Sequence, residues 1–302
     1  MMNNLKSHFN LRLFSVRKIA TLFLLFVFTC PAISSYAAGG VLEGSDVLDQ
    51  VYIPEHIITR KVIPYTHLRE ADVMWMKRIW RVIDLRQKFN MPFYYPTSAI
   101  NNRKALIDVI KDGVFEGTIT AYAEPLLDDE FKYPMTKDDV EAMFKSIDTV
   151  TVEDPVTGEF IEKIQEAELE ADKIKQYWIK EDWFFDKQRS VMEARIIGIA
   201  PLQESIDEMT GNIRGYSPMF WIYYPQARYV FANAPVFNRF NDAERRTYED
   251  IFWKRMFQSY IRKESNVYDR TILEYTKGIN TQLEAERIKD EMYNFEHDLW
   301  HF

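Results

Sequence analysis

The strongest periodic signal in the chain runs over residues 69–90. Val73, Met76, Trp80 and Ile83 recur at helical spacing, Ile79, Val82 and Phe89 widen the apolar stripe, and Lys77, Arg81, Asp84 and Lys88 share the opposite side. Met91-Pro92 closes the segment, because proline lacks a backbone donor and turns its predecessor away from helix. The pattern predicts an amphipathic helix. Its tryptophans, Trp75 and Trp80, outweigh its charges. A buried aromatic removes on the order of 150–250 Å² from water, whereas an i,i+4 pair such as Asp84 and Lys88 contributes about 0.2–0.5 kcal/mol.

Beyond Pro92-Phe93-Tyr94-Tyr95-Pro96 a second helix is expected over residues 98–111, with Ser98 as N-cap and Asp112-Gly113 as its stop. Residues 119–123 have strand character. Thr136-Lys137-Asp138-Asp139 has the spacing of a capping box, with Asp in place of the usual Glu, and Val140, Met143, Phe144 and Ile147 then line a short helix. From Asp148 the period falls to two. Residues 149–153 and 159–162 around Asp154-Pro155-Val156-Thr157-Gly158 predict a hairpin. Residues 166–176 are helical in composition yet lead into Trp183-Phe184-Phe185-Asp186, which suits strand and turn. Residues 192–201 and 219–224 are strand candidates, bounded by Pro201, Gly215, Pro218 and Pro225. Two further helices are expected: one from Asn241 or Asp242 to about Lys263, and a last one from about Asp269 to Leu299. No Pro/Gly cluster after Arg69 separates two cores, and no repeat is present. The expectation is a single globular α+β domain over residues 67–302, with long amphipathic helices and a small, mainly antiparallel sheet.

An extended N-terminal arm, residues 38–66, is expected to precede this domain, since Gly39-Gly40, Gly44, Pro54 and Pro64 interrupt any period. Residues 1–37 match a secretory signal peptide: Lys6, Arg12, Arg17 and Lys18 form a positive start, residues 19–28 an apolar run, and Ala37 follows small residues suited to cleavage. The run falls short of the roughly 20 residues of a membrane span. Cys30, the single cysteine, lies between Phe28 and Pro31, a poor context for lipidation, and would leave with the leader. Disulfides and thiol catalysis would leave with it. The net charge of −8 becomes more negative once the four leader cations are removed, which disfavours nucleic acid and anionic lipid as partners.

Motifs for chemistry are sparse. Neither a P-loop nor a dinucleotide-binding glycine pattern is present. Gly215-Tyr216-Ser217-Pro218-Met219 begins like a nucleophile elbow, but Met219 replaces the second glycine, so a turn before a strand is the better account. His297 and His301 are spaced four apart without the Glu of a zinc-protease helix. Asp128-Asp129-Glu130 and Asp138-Asp139 lack the calcium-loop pattern. No catalytic, cofactor-binding or metal-binding residue is assigned. The aromatics remain as a partner signal, because Trp, Tyr and Arg dominate interface hot spots. Trp75, Arg78, Arg81 and Arg86 are therefore the candidate partner interface. The alternative is a periplasmic carbohydrate-binding module or glycan-acting enzyme.

The run Arg69-Glu70-Ala71-Asp72-Val73-Met74-Trp75-Met76-Lys77-Arg78-Ile79-Trp80-Arg81-Val82-Ile83-Asp84-Leu85-Arg86, followed by Pro92-Phe93-Tyr94-Tyr95-Pro96, resembles the GldN/PorN family. The resemblance continues through Met219-Phe220-Trp221-Ile222-Tyr223-Tyr224-Pro225 with Asn233, and through Phe252-Trp253-Lys254-Arg255-Met256-Phe257. It implies a structural subunit of the type IX secretion system, which also supports gliding motility, located in the periplasm and peripheral to the outer membrane. It further implies assembly with a GldK/PorK-like outer-membrane lipoprotein into a ring of many copies, and contact with GldL/GldM-like inner-membrane motor proteins. Membrane contact would then run only through partners.

Overall fold

The computed structural model describes residues 60–299 apart from 101–102, 124, 127–128, 154–159, 169–170, 208–211, 240 and 242. The expected signal peptide and all of the arm before Arg60 lie outside the described residues, as does His301. Ile57–Phe302 cluster as one compact unit.

That unit is α+β. Its main sheet joins β1 (Val73–Asp84), β2 (Ala121–Tyr122), β5 (Ile174–Asp186), β6 (Val191–Ile206), β7 (Ile213–Pro218), β8 (Trp221–Tyr223) and β9 (Tyr260–Glu264). The order is β2-β8-β6-β5-β1-β9, with β7 also paired to β6. The pairings are antiparallel. With seven strands the sheet is larger than expected. A separate ribbon joins β3 (Lys145–Glu153) and β4 (Phe160–Glu168), extending the expected hairpin at both ends.

The segment expected as the first amphipathic helix is the strand β1. The reason is burial on both faces: residues 79–84 are all buried, so apolar side chains occur on both sides and the alternation that marks a half-exposed strand is lost. Trp80 and Val82 enter a cluster with Trp178, Ala200, Leu202 and Trp221. Ile79 enters another with Ile261, Ala285, Ile288 and Met292. Apolar spacing that happened to fit 3.6 residues came from two different cores.

Short helices cover the second of these faces: α1 (Met91–Tyr94), α2 (Leu106–Phe115), α3 (Lys137–Phe144), α4 (Tyr224–Phe231) and α5 (Tyr248–Trp253). Ile83, Tyr177, Ile179 and Ile199 of the sheet meet Leu106 and Ile110 of α2, Phe231 of α4 and Phe252 of α5 in the largest core. The helix starts where Leu106 docks, eight residues after Ser98, and Ala105 is its N-cap. The capping box at Thr136 and Asp139 is present as expected, although α3 ends at Phe144 and Ile147 lies in β3. Only Trp221–Tyr223 of the expected strand at 219–224 is strand, since Pro225 opens α4, where a missing donor costs nothing. The expected turn around Ser217 is strand β7.

The C-terminal helices also differ from expectation. Thr247 and Asp250 form a second capping box that starts α5, and Arg255 in the left-handed region (φ 51°) ends the helical course, so the chain enters β9. The last helix is divided into α6 (Ile272–Tyr275) and α7 (Ile279–Asp298) by Gly278, whose φ of 62° favours a residue without Cβ. In α7, the one helix above ten residues among those described, Ala285, Ile288 and Met292 form a narrow buried stripe. Among the described residues no helix is long and apolar enough to cross a membrane.

Candidate partner interface

Strand geometry separates the four candidate residues. Trp75 and Arg81 lie on the face covered by α7, Arg78 on the opposite face, and Arg86 past the end of β1. Trp75 stacks on Phe295 of α7, ring centroids 4.8 Å apart. Arg78 makes a two-pronged contact with Asp182, Nε at 2.6 Å and Nη2 at 2.9 Å. Arg86 is exposed and bonded to Asp84, with Nη2 2.6 Å from Oδ2 and its guanidinium 5.7 Å from the Tyr216 ring. Arg81 is buried; its Nη1 lies 3.4 Å from Glu181 Oε1 and its Nε donates to Ser259 Oγ at 2.9 Å. The one helix expected to present all four does not exist, and Arg81 is committed to the interior.

Glu181 is the centre of that interior contact. It has no exposed surface, and three groups converge on it: Arg81, Arg255 with Nη1 2.8 Å from Oε2, and the Trp183 indole donating at 2.8 Å. The Arg255 guanidinium also covers the Trp183 ring at 5.0 Å. Burial pushes the Arg81 pKa down while Glu181 pushes it back up.

Its neighbour Lys180 is 2% exposed and projects to the other face. Lys180 Nζ donates to the main-chain oxygen of Asp129 at 2.5 Å and lies 3.3 Å from the Asp129 carboxylate. The same carboxylate accepts from the Trp80 indole at 2.8 Å. The rings of Trp80 and Phe131 lie 5.9 and 5.4 Å from the ammonium. Gly198 makes the position of Phe131 possible, because a Cβ there would meet the ring at 2.6 Å. Burial depresses the Lys180 pKa, with Asp129 opposing the shift.

A third charged centre holds the described end of the arm. Arg228 is buried against Glu249, at 2.6 and 2.8 Å, and donates to the main-chain oxygen of Ile63 at 2.7 Å. Tyr65, the Arg228 guanidinium and the Trp253 ring form a mutual cluster: Tyr65 lies 4.1 Å from the guanidinium and 5.4 Å from the Trp253 ring, and the guanidinium 5.0 Å from that ring. Arg60 grips Asp250 at 2.7 and 2.8 Å. Burial raises the Asp250 pKa, but bonds from Arg60 and Thr247 hold it below the ordinary carboxylate value. Residues 60–66 therefore pack on their own domain.

Sequence reasoning passed over Lys180, Glu181, Arg228, Glu249 and Arg255. One signal was available: Lys180-Glu181-Asp182 interrupts the aromatic and aliphatic run from Tyr177 to Phe185, and charges there need partners. Asp129, in an acidic run without the calcium-loop pattern, binds the Trp80 indole and Lys180, while Asp139 caps α3 as its spacing predicts. Among the described residues no three His, Cys, Asp or Glu side chains gather as metal ligands.

What stays exposed near the candidates is apolar. Met74, at a register shift of β1, and Met76 are 64% and 57% exposed, and Met76 shares the Arg78 face. A mainly antiparallel α+β domain whose buried charges bind strand to strand and arm to body, with methionine and arginine left at the surface, is the class of protein these features define. The chain belongs to the GldN family: the family described as gliding motility associated protein GldN matches residues 68–301. The resemblance carried by residues 69–86, 219–225 and 252–257 is thus shown over most of the chain. Among curated proteins nothing matches the chain.

Proposed function

We propose that this protein is a structural periplasmic subunit of the type IX protein secretion system, peripheral to the outer membrane, supporting protein export and gliding motility. The observation that carries the reading is the GldN match over residues 68–301, which takes in every described strand and helix. In this reading the chain joins a GldK/PorK-like outer-membrane lipoprotein in a ring, meets GldL/GldM-like motor proteins, and acts through fitted surfaces. Ring closure requires heterologous contacts between copies. The surface favoured for a contact is the exposed part of β1, Met74 and Met76 with Arg78, flanked by Arg86 at the strand end and by Trp75 on the other face. Arg81 contributes only by supporting β1 from within.

The carbohydrate reading is less well supported, because a glycan platform needs a line of exposed rings. Trp80, Trp178 and Trp221 are buried, and Trp75 and Trp183 pack beside the α7 cluster.

The test is envelope fractionation with cross-linking of the wild type and of the double variant Met74→Asp/Met76→Asp. The wild type is expected in the periplasmic fraction, linked to the lipoprotein, and the double variant is expected to lose that link and secretion while keeping its unfolding midpoint. A chain retained in the cytosol with its first 37 residues, or a purified protein that turns over a glycan, overturns the proposal.

A further inference from the structure

The β3–β4 ribbon stands apart from the seven-stranded sheet. Its nine pairs run from Lys145↔Glu168 to Glu153↔Phe160, and no third strand is paired to it among the described residues. A lone two-stranded ribbon is marginal in water, and unpaired strand edges template another strand. At about 3.4 Å per residue its nine-residue strands span roughly 30 Å.

We propose that the open edge of β3 pairs antiparallel with β3 of a second copy about a two-fold axis at Thr149, giving a four-stranded sheet in the order β4-β3-β3-β4. The occupant follows from sequence and geometry. Antiparallel self-pairing centred on Thr149 sets Lys145 opposite Glu153 twice, Ile147 opposite Thr151, and Thr149 opposite itself. Opposite charges and Thr–Thr pairs are favourable across strands. Lys145 also meets Glu141 at 2.8 Å in its own chain, and an ammonium with three donors serves two carboxylates. β-branched residues dominate the middle of β3, from Thr149 to Val152.

The two other arrangements are disfavoured. Self-pairing of β4 about Ile164 sets Glu162 opposite Glu166 twice, and like charges repel there. Repeating the ribbon head to tail, β3 against β4 of the next copy, would space the copies by two strand widths, roughly 10 Å. The rest of the unit joins the ribbon at its Lys145/Glu168 end. A body of about 200 residues has a radius of gyration of roughly 16 Å, so bodies on the same end at that spacing collide. The two-fold arrangement places them at opposite ends of the ribbon. The contact is symmetric and therefore separate from the head-to-tail contacts of a ring; it stands whether or not the ring reading does.

The experiment uses the full chain carrying Cys30→Ser, with Thr149→Cys or Ile164→Cys added, treated with a short bis-maleimide and analysed by sedimentation. Thr149 faces its copy at about 5 Å, while the two Ile164 positions are three strand widths apart, roughly 14 Å. Thr149→Cys is expected to give a covalent dimer and Ile164→Cys none. Thr149→Lys, which sets two ammonium groups opposite each other, is expected to weaken dimerisation up to about fivefold. The proposal is overturned by a chain that stays monomeric over the whole concentration range, by linking at position 164 equal to or above that at 149, or by a Thr149→Lys variant that dimerises as well as wild type.

Discussion

Lys180 and Glu181 are adjacent in β5, both almost wholly buried, and they solve the same problem in different ways on the two faces of one sheet. Glu181 is held by the scaffold itself, through Arg81 from β1 and Arg255 from the turn after α5. Lys180 is held by the loop that follows β2, through the Asp129 carbonyl and carboxylate, with aromatic rings on either side. The Asp129 side chain is one-third exposed and can return to water if its partner is removed. Arg81 cannot, being about as buried as the strand that carries it. The contrast teaches that a buried charge becomes structurally indispensable when a partner such as Arg81 has no route back to solvent; Arg255, 30% exposed, keeps one.

The largest effect should come from Glu181→Leu. It strands Arg81 and part of Arg255 without a counter-charge, and breaking one side of a buried pair costs about 3–5 kcal/mol. Urea unfolding should show that loss, and adding Arg81→Met should restore part of it. A Glu181→Leu protein as stable as wild type would break the comparison outright.

Lys180→Met comes next. The apolar stem is kept, one charge-assisted bond and the ring contacts are lost, and the expected cost is about 1–2 kcal/mol. The pH dependence sharpens this case. The folded pKa of Lys180 is depressed, chiefly by burial, with Asp129 opposing and Arg78 adding to the shift. The unfolded state therefore binds more protons between that depressed value and 10.5, and stability due to Lys180 rises with pH across the window. The wild-type advantage over Lys180→Met should grow towards pH 10.5, whereas that over Glu181→Leu should not follow this course. Both proteins should weaken above pH 10, because burial raises the phenol pKa values of Tyr177 and Tyr248, and that stability is lost as the unfolded phenols ionise.

The same contrast explains what could be read from sequence. The capping box at Thr136 is a contact over three residues, and the β3–β4 hairpin turns within a few; both were legible because their causes are local. The charged partners of Glu181 and of Asp129 come from strands and turns far along the chain, Arg81 a hundred positions away. The spacing in β1 suggests helix for the same reason, since its two faces belong to different cores that only the fold brings together. The sequence suggests Trp75, Arg78, Arg81 and Arg86 as a partner interface, whereas the contacts seen for them lie within the chain.

Arg78 tests where that interior logic stops. Its pair with Asp182 is the geometric relative of the Glu181 contacts, and the Asp182 hydrogen bonds raise its pKa, yet the Arg78 side chain is 37% exposed. Water then competes for both partners, and a surface ion pair contributes about 0.2–1 kcal/mol. Arg78→Ala should accordingly shift the urea midpoint least of the three variants. If the exposed part of β1 with Met74 and Met76 is a partner contact, the same substitution should remove much more from assembly, because a truncated arginine at an interface costs more than 1 kcal/mol when it is a hot spot. Measuring both on one protein separates the roles. Near-wild-type stability with lost assembly assigns Arg78 to the surface, and a stability loss matching that of Glu181→Leu would place it with the buried charges instead.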